Sequence, residues 1–96
     1  MMQKTSVTVR IAGEEHTIRA SAEPEYTRKC AALVDDRIHE IRMAAGLIEG
    51  HKAAILAALS IADEYFQARE DLERLRAEMG SRVEQIAAQI EGVVPN

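Results

Sequence analysis

The chain has 96 residues, of which 47% are hydrophobic and 29% charged, and its formal net charge is −4 at pH 7. This length suffices for one domain, and sixteen of the hydrophobic residues are alanine, so close-packed helices are favoured over a thick core. The acidic excess lies in the second half, which argues against nucleic-acid binding, and no apolar run approaches the ~20 residues of a membrane span. A single cysteine is compatible with a reduced, cytoplasmic protein.

Two alternating segments near the N-terminus predict a β-hairpin. Val7, Val9 and Ile11 alternate with polar residues, and residues 15–20 show the same period of two. Gly13 lies between the segments and can adopt the positive φ that a tight turn requires. We therefore predict strands over residues 5–11 and 15–20. A lone hairpin is marginal in water, so its apolar face should pack on a helix.

A first helix is predicted over residues 23–45. Ser21 can cap its N-terminus, Pro24 is tolerated in a first turn, and Gly46 suits the residue after the last turn. Its apolar side is predicted from three- and four-residue spacing to comprise Tyr26, Cys30, Leu33, Val34, Arg37, Ile38, Ile41 and Ala45. Cys30 is therefore predicted to be a small core residue. His16, which alternates with apolar neighbours on the second strand, is predicted to be a packed strand residue.

A second helix begins near His51 and continues to Gly92 and Pro95, which would end it. About forty residues at ~1.5 Å each give a helix of roughly 60 Å. Its apolar edge comprises Ile55, Leu59, Ala62, Phe66, Leu72, Leu75, Met79, Val83, Ile86 and Ile90. The hairpin and the shorter first helix cannot cover this whole edge, so we predict an intermolecular coiled coil. The predicted fold is α+β, with a head of residues 1–66 and a coiled coil of residues 67–96.

The residues that could support chemistry do not form a recognisable site. None of His16, His39, His51 and Cys30 lies near another at zinc-ligand spacing. Successive residues of a helix point about 100° apart, so the adjacent acids Asp35-Asp36 and Asp63-Glu64 do not converge and are read as solvated faces. No phosphate-binding loop or nucleophile motif is present in the sequence. We therefore predict no enzyme activity, no cofactor and no metal.

The order of these elements, together with three short segments, resembles the ZapA family of bacterial cell-division proteins. The segments are Ile11-x-Gly13 in the hairpin, Ala31-x-x-Val34-Asp35 in the first helix and Ala57-Ala58-Leu59-Ser60-Ile61-Ala62 in the second. The resemblance extends from about Val7 to Ile90, although the family usually has Asn at the position of Ser60. It implies a non-enzymatic protein that dimerises through the head and the start of the long helix. Antiparallel coiled coils would then join dimers into a dumbbell-shaped tetramer.

The resemblance also implies a partner, the tubulin-like division GTPase FtsZ, whose filaments the heads would cross-link at midcell. Family members carry basic charge on the later part of the first helix, and Arg42 lies at a matching position. Arg37, Arg10 and Lys52 are further candidates for the FtsZ contact. Arg37 and Arg42 also suit ordinary solvated charges near a helix C-terminus. The alternative function is that of a generic coiled-coil adaptor for another cytosolic protein.

Overall fold

The computed structural model describes residues 3–46 and 48–90 of the chain. Four elements follow in the order β1 (Thr5–Ile11), β2 (Glu14–Ala20), α1 (Pro24–Ala45) and α2 (Gly50–Gln89). The predicted order of a hairpin, a helix and a long helix is thus confirmed, and all starts agree within one residue. Gly92 and Pro95, which were predicted to end the second helix, lie outside the described residues.

The chain divides into two compact units, Met1–Ile61 and Ala62–Asn96. Unit 1 contains the hairpin, α1 and the first turns of α2, and unit 2 contains the later turns of α2. The predicted division into a head of residues 1–66 and a coiled coil of residues 67–96 stays a prediction, because the two compact units do not show which part forms a coiled coil.

The hairpin turn is formed by two residues in the left-handed region. Ile11 pairs with Glu14, which leaves Ala12 and Gly13 between the strands at φ 55° and 80°. Positive φ at both central residues matches the twist of an antiparallel pair, as in a type I′ turn. The conformation is unfavourable for Ala12, which has a Cβ. The Ala12 N–H donates a 2.9 Å hydrogen bond to Asp35 Oδ1 on α1, so α1 holds the turn in place.

The core of unit 1 is built from small side chains. The two buried clusters are Val7, Val9 and Ala31, with Ile11 and Ile18 against them, and Ile38, Ala53 and Ala57, with Ile11, Val34, Ile41 and Ile48 against them. Ala53 and Ala57 are 0% and 1% exposed and are the most buried core residues described. A methyl side chain lets two backbones approach closely but contributes little hydrophobic burial. The core is consequently thin.

The start of α1 differs from the prediction at its cap. Glu23 is the N-cap residue and makes no side-chain capping hydrogen bond, while Pro24 occupies the first turn as predicted. The predicted cap at Ser21 is wrong, because the fixed φ of Pro24 starts the helix there and leaves Ser21 two residues too early. At the other end, Gly46 adopts φ 77°, in agreement with the predicted stop.

The buried face of α1 agrees with the prediction in its later turns, where Ile38 is buried and Val34 and Ile41 pack against the core, and differs in its first turns. Its buried residues are Thr27, Ala31 and Ile38, whereas Tyr26, Cys30 and Leu33 are exposed. The prediction that Cys30 is a core residue is therefore wrong. The physical reason is that Val7 and Val9 of β1 pack on the side of α1 that offers small side chains, and the larger ones lie about 100° further round.

His16 is likewise not packed, contrary to prediction. Its side chain is 48% exposed, and Nε2 lies 3.8 Å from Glu14 Oε2. His16 lies on β2, whereas α1 packs chiefly against β1. The His16 side chain therefore remains in solvent.

Replacing Asp35 with alanine should destabilise unit 1. Asp35→Ala leaves the Ala12 N–H without its acceptor, and we expect the free energy of unfolding to fall by about 1 kcal/mol. Asp35→Asn keeps an acceptor oxygen and should lose less. Urea denaturation at one fixed protein concentration measures both. Asp36→Ala, at an exposed neighbouring position, is the matched control, and an equal loss there would contradict the role of Asp35.

Candidate interaction surfaces

The basic residues predicted to contact a partner all lie in unit 1. Arg42 is half-buried in the last turn of α1, while Arg10 and Lys52 are exposed. Arg42 borders two shallow grooves beside the hairpin turn, of about 500 and 380 Å³. Asp35, Asp36 and His39 line the first groove, and Glu14, His16 and His51 line the second. The geometry therefore places Arg42 next to the turn, among acids and histidines.

Two contacts of Arg37 lie inside unit 1. Nη1 donates a 2.7 Å hydrogen bond to Ser60 Oγ on α2, and Nε lies 3.7 Å from Glu40 Oε2. Its side chain is only 15% exposed. Arg37 thus connects α1 to α2, and an additional role in binding a partner stays a prediction. Ser60 is the one polar residue in the run from Ala53 to Ala62, and the sequence shows this directly. Nothing in the sequence indicated that Ser60 would accept a hydrogen bond from Arg37.

Unit 1 exposes large apolar side chains on both of its helices. Ile55 and Leu59 of α2, predicted as interface residues, are 47% and 63% exposed. Leu56 on α2 is also exposed and was not predicted from the sequence. The α1 stripe of Tyr26, Cys30 and Leu33, which follows an i, i+4, i+7 spacing, was predicted to be buried. Large exposed apolar patches are rare on monomers and mark interaction sites. Unit 1 therefore presents apolar surface suited to a partner.

Unit 2 presents a continuous apolar stripe. All of its described residues are exposed. The predicted interface residues that lie in unit 2 are Ala62, Phe66, Leu72, Leu75, Met79, Val83, Ile86 and Ile90. The six from Leu72 onward recur every three or four residues and are 46–65% exposed. Elsewhere on the helix, Arg74 lies 3.4 Å from Asp71, as expected for a solvated polar face. Nothing among the described residues covers the stripe.

Two kinds of site are not found in the described part of the chain. In residues 3–46 and 48–90, no group of three or more His, Cys, Asp or Glu side chains could hold a metal ion. Neither described helix is by itself long and apolar enough to cross a membrane, and only α1 and α2 taken together, as a bent pair, have the required length and composition.

Two solved structures with the same arrangement of elements indicate the class of protein to which this fold belongs. A dimer of mutant ZapA from Geobacillus stearothermophilus is 38% identical to this chain, with 83% of this chain and 93% of that one covered and a TM-score of 0.66. An unknown conserved bacterial protein from Pseudomonas aeruginosa PAO1 aligns over 92% of this chain and 98% of its own, with a TM-score of 0.74. At 24% identity, the second likeness shows the fold alone.

The family is shown by the sequence comparisons. The family model described as cell division protein ZapA matches residues 7–90. Cell division protein ZapA from Geobacillus thermodenitrificans is 40% identical over 76 residues, which is 79% of this chain and 84% of the relative. The protein of that name from Bacillus licheniformis is 34% identical over 77 residues, which is 80% and 91%. The chain belongs to the ZapA family of cell division proteins, which is not a known enzyme family, and the predicted resemblance is confirmed.

The different surroundings of the two α1 arginines predict different effects on stability. Arg37→Ala removes the hydrogen bond to Ser60 and the packing of a mostly buried stem, and should lower the free energy of unfolding by about 1–3 kcal/mol. Arg42→Ala should change it by less than about 0.5 kcal/mol. Thermal unfolding of both variants at equal concentration makes the comparison. Equal destabilisation would show that Arg37 does not anchor α1 to α2.

Proposed function

We propose that this chain is a non-enzymatic cell-division regulator that binds FtsZ filaments and cross-links them at the division ring, in the cytoplasm at midcell. The observation that carries the proposal is the uncovered apolar stripe from Leu72 to Ile90 in a member of the ZapA family. A protein that bundles filaments must have more than one binding head, and the stripe supplies a means of joining heads.

Self-association is supported by the amount of apolar surface in solvent. Each large side chain of the stripe that becomes buried contributes ~1.5–3 kcal/mol, and a coiled coil with a second copy buries all six. The mutant ZapA from Geobacillus stearothermophilus has been solved as a dimer. We propose that Ile55, Leu59, Ala62 and Phe66 pair protomers into a dimer. Antiparallel contacts of the later stripe would join two dimers into a dumbbell-shaped tetramer.

Filament cross-linking follows from this assembly. Once one head is bound to a filament, binding of a second head is effectively intramolecular, so avidity rises without new kinds of contact. Individual head contacts can then be weak and exchange rapidly while filaments stay aligned. The proposed contact residues are Arg42, Arg37, Arg10 and Lys52, because FtsZ is acidic and basic residues would steer its approach.

Co-sedimentation with FtsZ polymers tests the proposal directly. We expect this protein to be enriched in the pellet when FtsZ polymerises with GTP, and electron microscopy to show thicker bundles. No enrichment and no thickening would contradict the proposal and favour the adaptor for another protein.

Charge within the stripe should split the assembly. Leu75→Glu or Ile86→Glu places a carboxylate in the proposed tetramer interface, where burying an unpaired charge is unfavourable. Light scattering after gel filtration should show that tetramers become dimers, with the circular dichroism of folded heads retained. Gln85→Glu introduces the same group away from the stripe and should leave the mass unchanged. Loss of the head fold together with the tetramer would contradict the proposed division at residue 66.

Reversing the charge of Arg42 should separate binding from assembly. Arg42→Glu is expected to abolish FtsZ bundling while the oligomer mass stays that of the wild type, because Arg42 lies outside both apolar surfaces. Arg19→Glu, an equal change at an exposed residue of β2, is the control and should bundle normally. Unchanged bundling by Arg42→Glu would remove this residue from the contact.

A further inference from the structure

One edge of β1 has no strand beside it among the described residues. The sheet has two strands, and β1 pairs only with β2. In an antiparallel pair, residues alternate between those bonded to the partner strand and those whose N–H and C=O point outward. Ile11 and Glu14 flank the two-residue turn as a bonded pair, so the outward groups of β1 belong to Ser6, Thr8 and Arg10.

The contact between Thr8 and Thr17 agrees with this assignment. Their Oγ1 atoms lie 3.2 Å apart, and directly opposed side chains approach most closely at non-bonded pairs. The backbone N–H groups of these two threonines therefore point away from each other, toward opposite edges of the hairpin.

A groove of about 290 Å³ runs along the open edge of β1. It is lined by Thr8, Val9, Arg10, Arg28, Ala31, Ala32 and Asp35, which come from β1 and α1 and not from β2. Val9 and Ala31 are each 7% exposed and form an apolar floor. An added strand would lie about 4.8 Å from β1, so the open edge and α1 would form the two walls of its site.

The charges around this groove favour an acidic occupant. Arg10 and Arg28 are both exposed. The acid in the groove, Asp35, is half-buried and accepts the Ala12 N–H with Oδ1. Alternate side chains of a strand point to opposite faces, so Arg10 lies on the face opposite the buried Val9, while Arg28 of α1 borders the floor. An extended segment could therefore place small apolar residues and a carboxylate on the floor beside Arg28, and further carboxylates on the opposite face beside Arg10.

We propose that the open edge of β1, with the groove beside it, binds an extended acidic segment of the partner protein by strand addition. The main chain of Ser6, Thr8 and Arg10 supplies the hydrogen bonds, and Arg10 and Arg28 supply the charge preference. This inference rests on the proposed function, so the segment belongs to FtsZ. A third strand would also stabilise a two-stranded sheet that is marginal by itself.

Proline variants on the two edges of the hairpin test the proposal. Thr8→Pro removes an outward N–H and places the ring on the docking edge, while the hydrogen bonds between β1 and β2 remain. Thr17→Pro makes the same change at the opposite edge and loses the same hydroxyl contact, so it is a matched control. In co-sedimentation with FtsZ polymers, Thr8→Pro should weaken binding about tenfold and Thr17→Pro should bind as the wild type does.

Hydrogen exchange of the wild-type protein gives a second readout that needs no variant. When FtsZ polymers are added, the amides of Thr8 and Arg10 should exchange more slowly, while those of Thr17 and Arg19 should not change. If the wild type co-sediments but the two proline variants bind equally and Thr8 is not protected, the strand-addition site is overturned and the proposed function stands.

Two further outcomes would also overturn the site. Failure of the wild type to co-sediment, without protection of Thr8, would remove both proposals. Protection of Thr8 and Arg10 that rises with the concentration of this protein alone would show that a second copy occupies the edge.

Discussion

In this protein small side chains fill much of the core, while most of the large apolar side chains described are exposed. The buried hydrophobic residues described include three alanines, Ala31, Ala53 and Ala57, and the only larger ones are Val7, Val9 and Ile38. Fourteen large hydrophobic side chains in residues 3–46 and 48–90 are exposed instead. Soluble chains usually place such residues inside. The apolar surface that would normally form a core is thus available for a second chain, and the proposed assembly follows from that imbalance.

Small side chains also position the functional surfaces of unit 1. Ala31 lets α1 approach β1 closely enough for Asp35 to reach the left-handed hairpin turn. The same approach turns the larger residues of α1, such as Leu33, to solvent. The outer edge of β1 is open because the sheet of the described residues has only two strands. A thin core and exposed apolar surfaces are therefore two results of one packing arrangement.

The elements could be predicted from the sequence because their signals are local. Period-two alternation marked the strands, and Pro24 and Gly46 marked the limits of α1. The buried face of α1 was misassigned in its first turns because large residues at helical spacing look like a core, whereas the real one uses Thr27 and Ala31. Further along the helix, Ile38 is buried as predicted. Contacts such as Arg37 with Ser60, 23 residues apart, depend on how helices pack and leave no local pattern.

Sedimentation velocity across a wide concentration range tests the central claim most directly. A single chain has a mass of 10.6 kDa, so we predict species of at least twice that mass at micromolar concentration, with dissociation on dilution. Circular dichroism of the same diluted samples should show loss of helix. A stable, fully folded species of single-chain mass at every concentration would contradict the claim that this chain needs another copy to cover its apolar surface.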